Sequence, residues 1–521
     1  MTKHQLSIAI VGTGNFATNL EALCRHYGLP TRFFVDEFRQ SPFLDLAVYK
    51  VSQLSQAHIS SVSKFLLAIS HPEHQQAAYQ RLRQQGIAAQ QIMRIADDPG
   101  LQILQLLFGE YQQQAVAKLC SSDSGQLEDV EKHFLEPQWQ QVLTTLKPNK
   151  ANIGLAYYGR GGGFRRHISP LIPHLEHQYN LLSFSDETMN QAEEAKRHLY
   201  MSSFSACQQH WLDLVISAHV FACAPKSVPR VSFSHVIYDF NLTGDYHAAR
   251  IGEPDTHYLF ASSKACFEWY RRLIEKHQLR NRLCIIPGGY LQLDRNIELA
   301  QAYQGQQDSI LYAPTLALAD YPHRDLASSM EHAVAIVKAL LEAFPQMRII
   351  VRPHPSDLRL YQLNRKDQIS QAFERLMQYC EQQSNCFIDD NATNYMDSYN
   401  RSAVLVSDTS STAFTYAFTT QRPVVFFSAK ESQLQQQLAK QLKFIQDREQ
   451  LGQVVESIPQ LQQVVASMLG SPLITEQINA FRRQTIFNPG TAAQYFSDNL
   501  SYILNQQRHP DWLYINWSDD D

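Results

Sequence analysis

The chain has 521 residues, 44% of them apolar, with 45 Lys and Arg against 50 Asp and Glu for a formal net charge of -5. That balance excludes a disordered chain and lacks the overall basic excess that points to nucleic acid as a partner. The length calls for about two to four domains. Neither terminus reads as a signal peptide, and no apolar run reaches the roughly 18 residues of a membrane span. Cysteines 24, 120, 207, 223, 266, 284, 380 and 386 are scattered without a CxxC pair. They read as reduced thiols in a cytoplasmic protein, with no zinc site.

Taken in chain order, Leu6–Val11 is an apolar strand running into Gly12-Thr-Gly14-Asn-Phe-Ala17. A helix follows over Asn19–Tyr27, and a second strand, Thr31–Val35, ends at Asp36. This is G-x-G-x-x-A after a strand, with an acid at the end of the next one. Gly12 and Gly14 would allow a tight turn and close approach of a pyrophosphate, and Asp36 would meet a ribose hydroxyl. A strand at 65–69 and the helix Pro72–Gln85 complete a short unit, 1–115. It resembles the truncated Rossmann modules that precede bacterial sugar-modifying enzymes. Three readings stay open for it: a nucleotide or sugar-nucleotide site, a structural or docking domain, and a working dehydrogenase.

Residues 116–150 read as a helical connector, with Ser121–Gly125 of linker composition and an amphipathic helix over 127–146. A first large α/β half, 151–300, opens with strand Asn152–Tyr158 and the loop Gly159-Arg-Gly-Gly-Gly163-Phe-Arg-Arg-His167. Gly161, Gly162 and Gly163 would let a ligand approach the backbone, with Arg160, Arg165 and Arg166 adding positive charge, so the segment reads either as an active-site loop at a cleft or as a plain tight turn. The spacing is not that of a Walker loop. Strands Leu212–Ser217 and Arg230–Ser234 follow. His235 then stands at a strand's carboxyl end, placed either as a general base or as a satisfied structural histidine. Strand 258–262, helix Lys264–His277 and strand 283–286 lead to Pro287–Asp294, read as a hinge.

The second half, 301–521, alternates strand and helix, which implies a doubly wound parallel sheet. Strand Ser309–Ala313 stops at Pro314-Thr315. Helix Ser328–Phe344 precedes strand Arg348–Val351, which exits through Arg352-Pro-His354-Pro355. Helix Gln368–Gln382 and strand Cys386–Ile388 follow. Strand Ala403–Val406 turns through Ser407-Asp408-Thr409-Ser410-Ser411-Thr412 into a helix over 413–419, then strand Pro423–Phe427. Thr315, His354 and Ser410–Thr412 all fall at strand carboxyl ends, where open α/β sheets bind ligands. Ser410, Ser411 and Thr412 stand at a helix N-terminus that reads either as a phosphate site or as no more than a capped helix, with Asp408 or Ser410 as N-cap.

Four pieces in this order, Ile310–Thr315, Val351–Pro355, Leu405–Ser411 and Arg422–Phe427, resemble the CDP-glycerol glycerophosphotransferase family, the teichoic-acid and capsule polymerases. Gly289–Asp294 is similar to the segment leading into that family's second lobe. The resemblance covers roughly 150–505. It implies an α/β fold of two Rossmann-like lobes (the GT-B type), here with the small Rossmann-like domain added at the N-terminus. It also implies transfer from a cytidine-nucleotide donor to a polysaccharide or lipid-linked glycan acceptor. On that basis His235 is the base and His354 a catalytic partner, while Thr315, Arg352, His354, Asp408, Ser410, Ser411 and Thr412 bind the donor. The glycine loop with Arg165 faces the acceptor. No cofactor or metal is implied, and membrane contact would be peripheral, through the acceptor. The chain departs from the family at Val236, at Leu316 after Pro-Thr, and at Leu291-Gln292. Those departures leave open a CMP-sugar (sialyl- or Kdo-type) transferase and a non-catalytic sugar-nucleotide-binding protein.

Overall fold

The computed structural model describes residues 7–26, 29–39, 41–69, 72–95, 136–157, 167–185, 198–201, 206–220, 224–239, 244–319, 323–361, 367–391 and 394–518. The glycine loop 159–166 and most of the expected connector helix lie outside them; Glu136–Leu143 is helical. The chain divides into two compact units, 1–162 with 179–212 and 222–225, and 163–178 with 213–221 and 226–521.

In the first unit, strands β1 (Ile8–Val11), β2 (Thr31–Val35), β3 (Val48–Tyr49), β4 (Lys64–Leu67) and β5 (Ile92–Arg94) form one sheet in the order β3-β2-β1-β4-β5. All its pairs are parallel. β1 is apolar and fully buried, as a strand covered on both faces must be. The helix after the glycine turn starts at Asn15, a turn earlier than its pattern suggested. Gly12 has a φ of +111°, and a Cβ there would sit 2.9 Å from the Ala68 carbonyl oxygen. The tight turn therefore needs glycine at 12. Gly14 faces open space. The unit also holds β6 (Asn152–Ala156), β7 (Asn180–Ser185) and β8 (His198–Tyr200), paired in parallel.

The second unit carries two sheets' worth of strands. β9 (Leu214–Ser217), β10 (Arg230–Phe233), β11 (Thr256–Ala261) and β12 (Arg282–Pro287) run parallel in sequence order. β19 (Leu513–Ile515) adds an antiparallel strand on β12 that the sequence pattern did not show. The other sheet contains β13 (Ser309–Ala313), β14 (Arg348–Val351), β15 (Cys386–Ile388), β16 (Ser402–Ser407), β17 (Val424–Phe427) and β18 (Gly452–Val455). Its order is β15-β14-β13-β16-β17-β18, parallel throughout. The strand order reverses between β13 and β16, which is the point where doubly wound sheets open a ligand crevice. The α/β class with several Rossmann-like lobes, expected from the sequence, is the one the chain adopts.

The stretch read as a hinge is a tight turn and a helix start. Gly289 has a φ of +111°, and a Cβ there would lie 2.5 Å from the Phe487 carbonyl oxygen. Helix Leu291–Ala302 begins immediately afterwards. Asp294 within it accepts a hydrogen bond from Ala493 N at the start of helix Ala492–Leu504.

Candidate active site

At the carboxyl edge of the six-stranded sheet, the turns after β13, β14 and β16 are fastened to one another by two buried carboxylates. Asp408 Oδ1 accepts from Thr315 N at 2.8 Å, and Oδ2 accepts from Ser329 N at 2.7 Å and Ser329 Oγ at 2.8 Å. Asp357 accepts from Ala317 N at 2.9 Å and Leu318 N at 2.7 Å. Burial pushes both carboxyls up to about 6, against the pull of these donors. The segment Thr315–Leu318 is thus held from β16 on one side and from β14 on the other.

His354 leaves β14 between two prolines, which restrict the backbone on either side. Its Nδ1 accepts from Ser356 N at 3.1 Å, and its carbonyl accepts from Asp357 N at 2.8 Å. The ring is half-buried. Arg352 is committed elsewhere: its guanidinium donates to Asp389 at 2.6 Å and to the Asn391 carbonyl at 2.9 Å, over the Tyr395 ring.

Beyond β16, helix Thr412–Thr420 carries no acidic side chain in its first turn. Its positive end is therefore not neutralised from within, a favourable setting for an anion. Thr409 and Ser410 are buried, whereas Ser411 and Thr412 are partly exposed. Thr409 Oγ1 donates to the Ala327 carbonyl, and Ser410 Oγ accepts from Thr412 N at 3.4 Å.

His235 follows β10 and sits in a group of histidines contributed by separate segments. The His219 ring stacks on it at 4.9 Å between centroids, and His167 meets it edge-on at 6.4 Å. His247 lies 5.3 Å from His219. The His235 carbonyl accepts from Tyr290 Oη at 3.2 Å, and that hydroxyl also lies 3.3 Å from His167 Nδ1. Burial, with His235 and His247 alongside, drives His219 down to about 2, so it is neutral at physiological pH. Trp269, Tyr270, Cys266 and Tyr238 close the pocket around His219, His235 and His247. The sequence singled out His235 alone: its companions come from positions with no common spacing, so no motif could have gathered them. Among the described residues, no group of three or more His, Cys, Asp or Glu is arranged to hold a metal ion.

In the N-terminal sheet, Asp36 Oδ2 accepts from Thr13 Oγ1 at 2.8 Å, and Oδ1 accepts from Phe38 N at 2.9 Å and Arg39 N at 3.1 Å. The carboxylate expected on a ribose thus also folds its own loop. Gly161, Gly162, Gly163 and Arg165 lie outside the described residues.

Fold and site together define an α/β protein whose turns after β13, β14 and β16 are fastened together at one carboxyl edge of the sheet. Residues 293–499 match the family described as CDP-Glycerol:Poly(glycerophosphate) glycerophosphotransferase. Over that segment, the family resemblance and the transferase class read from the sequence are borne out. No curated protein matches the chain. Among solved structures, the wall teichoic acid polymerase TagF aligns over 73% of this chain and 96% of its own, at 15% identity and a TM-score of 0.45. A UDP-N-acetylglucosamine 2-epimerase described as putative, from Listeria monocytogenes, aligns over 69% and 98%, at 11% identity and a TM-score of 0.43. Likenesses of this size say nothing about substrate.

Proposed function

We propose that the chain transfers a glycerophosphate-type group from a CDP-glycerol-like donor to a surface-polysaccharide or lipid-linked glycan acceptor. The supporting observation is the overlap of two facts. The glycerophosphotransferase segment spans 293–499, and the sheet's strand-order reversal inside it falls between the Thr315 and Ser410 turns. In this reading Ser410, Ser411, Thr412 and Thr315 line the donor diphosphate, with His354 beside them. His235 takes the proton from the acceptor hydroxyl. The acceptor oxygen bonds to the phosphorus carrying glycerol, the bridging P–O bond breaks, and CMP leaves with the extra negative charge. His354 and the N-terminus of helix Thr412–Thr420 would stabilise that charge as fixed donors. Arg352, bound to Asp389, would act by holding the β14 exit rather than by meeting phosphate.

Among the described residues, no helix is long and apolar enough to cross a membrane. Cys24, Cys266, Cys284, Cys380 and Cys386 form no disulfide, which suits work in the cytoplasm, where thiols stay reduced. Incubating the purified chain separately with CDP-glycerol, CMP-sugars and NADH tests the reading. CMP release from CDP-glycerol is the expected result. Release from a CMP-sugar alone would replace the donor, and NADH oxidation would move the chemistry to residues 1–115.

A further inference from the structure

His235 belongs by sequence to the strand exit of β10, yet the residues immediately after it are embedded in the core beneath the donor turn. The Tyr238 ring, 1% exposed, stacks on Phe414 at 4.4 Å between centroids with 29° between the planes. Phe414 lies in helix Thr412–Thr420, two residues past Thr412. Phe414 meets Phe444 at 4.7 Å, and Phe444 is where the next contact falls. Asp239 accepts from Lys443 N at 2.7 Å and from Phe444 N at 2.8 Å, capping helix Lys443–Asp447. Tyr238 Oη donates to Asp447 Oδ2 at 2.6 Å. On the opposite side, Ser262 Oγ at the end of β11 donates to the carbonyls of Val236 and Ile237. Tyr290 Oη donates to the carbonyl of His235 itself.

We infer that Tyr238 and Asp239 are positioning residues that lock the His235 segment to the helix carrying the Ser410–Thr412 turn, so that base and donor site move as one piece. The inference rests on the reading above, in which His235 acts on the acceptor and that helix holds the donor. A strand exit needs none of this to complete a sheet. Ser234 Oγ already bonds Val236 locally. The extra ties run to residues about two hundred positions along the chain. They cross from the β9–β12 strands to the helix between β17 and β18, and they fix the distance on which in-line transfer depends. A displacement of about 1 Å at such a point can cost about a hundredfold in rate.

The test uses the full chain with Asp239→Asn, Tyr238→Phe, Tyr238→Ala and His235→Ala. Three readouts are needed: turnover of CDP-glycerol, CDP affinity by calorimetry, and amide exchange. Asp239→Asn and Tyr238→Ala should lower kcat about 10- to 100-fold while leaving the CDP dissociation constant within about twofold. Tyr238→Phe keeps the stack and should lose less than Tyr238→Ala. Adding Asp239→Asn to His235→Ala should cost no further turnover, because the base it positions is already gone. Unchanged turnover in Asp239→Asn, or a full additional loss in the double variant, would overturn the inference. Should Tyr238→Ala fail to fold, Asp239→Asn and Tyr238→Phe keep the side-chain shapes and carry the test. Absence of both CDP binding and turnover in the wild type would defeat the functional reading, but not the mechanical one. In that case amide exchange decides: Asp239→Asn must raise exchange in 235–239 and in 412–418 together. A rise confined to one segment would overturn the inference.

Discussion

Two sets of strand-exit turns in this molecule each combine small residues with an acid, and they are built differently. After β1, Gly12 takes a φ of +111°, and half-buried Asp36 ties Thr13 to the Phe38–Arg39 turn. The bonds there are made near the surface, between the adjacent exits of β1 and β2. After β16, Asp408 is 2% exposed, and its carboxylate reaches across to the turn after β13 and to Ser329. Asp357 supplies the same kind of strap from β14. The first joins two neighbouring strand exits at the surface. The second is a set of turns held in register by two buried carboxylates.

The largest expected difference comes from removing the two acids. Asp408→Ala leaves two buried backbone donors, Thr315 N and Ser329 N, without an acceptor, and should cost about 3 kcal/mol or more of stability. Asp36→Ala should cost about 1 kcal/mol, since water can replace it. Denaturant melts of the two variants would erase the contrast if the losses were equal.

Within the N-terminal turn, Gly12→Ala should destabilise that sheet by about 1–3 kcal/mol, because the left-handed φ and the Ala68 carbonyl both oppose a side chain. Gly14→Asp should leave the fold intact, the space there being open. If residues 1–115 bind a nucleotide, Gly14→Asp should abolish it, the new carboxylate occupying the pyrophosphate's place. Thermal melts and calorimetry with sugar nucleotides separate a ligand site from a structural domain.

The smallest effect concerns pH. Asp357 is raised from 3.8 to about 6 by burial, so the folded protein holds its proton more firmly than the unfolded chain. Its contribution to stability is present in full below about pH 3.8 and is lost as pH rises through about 6. Between pH 5 and pH 7 that loss is about 1 kcal/mol, and Asp357→Asn should remove it. Denaturation of wild type and variant at the two pH values would show a flatter dependence in the variant. An unchanged slope would mean that the strap titrates elsewhere.

Much of the framework was legible because buried parallel strands are short apolar runs. Thr31–Val35, Arg348–Val351 and Cys386–Ile388 stand where their patterns put them, and helix Lys264–His277 runs between the expected residues. Helix Leu291–Ala302 was hidden by the glycine pair before it, which reads as a loop signal. Helix Pro355–Tyr361 was hidden by the prolines around His354. β19 offers only three residues and borrows its pairing from β12. At the site, the turns themselves could be read but their fastening could not. Nothing local in Ser407–Thr412 says that Asp408 will bind Thr315 and Ser329, and nothing near His235 announces His167, His219 or His247. Those choices are made by the sheet order, across separations no window of sequence contains.

One titration separates the donor edge from the base. CDP added to wild type, His235→Ala, Ser411→Ala and His354→Ala, followed by calorimetry, should give unchanged affinity in His235→Ala. His354→Ala should bind about 10- to 150-fold more weakly, through loss of one charge-assisted bond to phosphate worth roughly 1.5–3 kcal/mol. Ser411→Ala should fall between the two, since the backbone N–H groups of the turn survive. Equal affinity in wild type and His354→Ala would contradict the placement of the donor phosphates at the carboxyl edge of the six-stranded sheet.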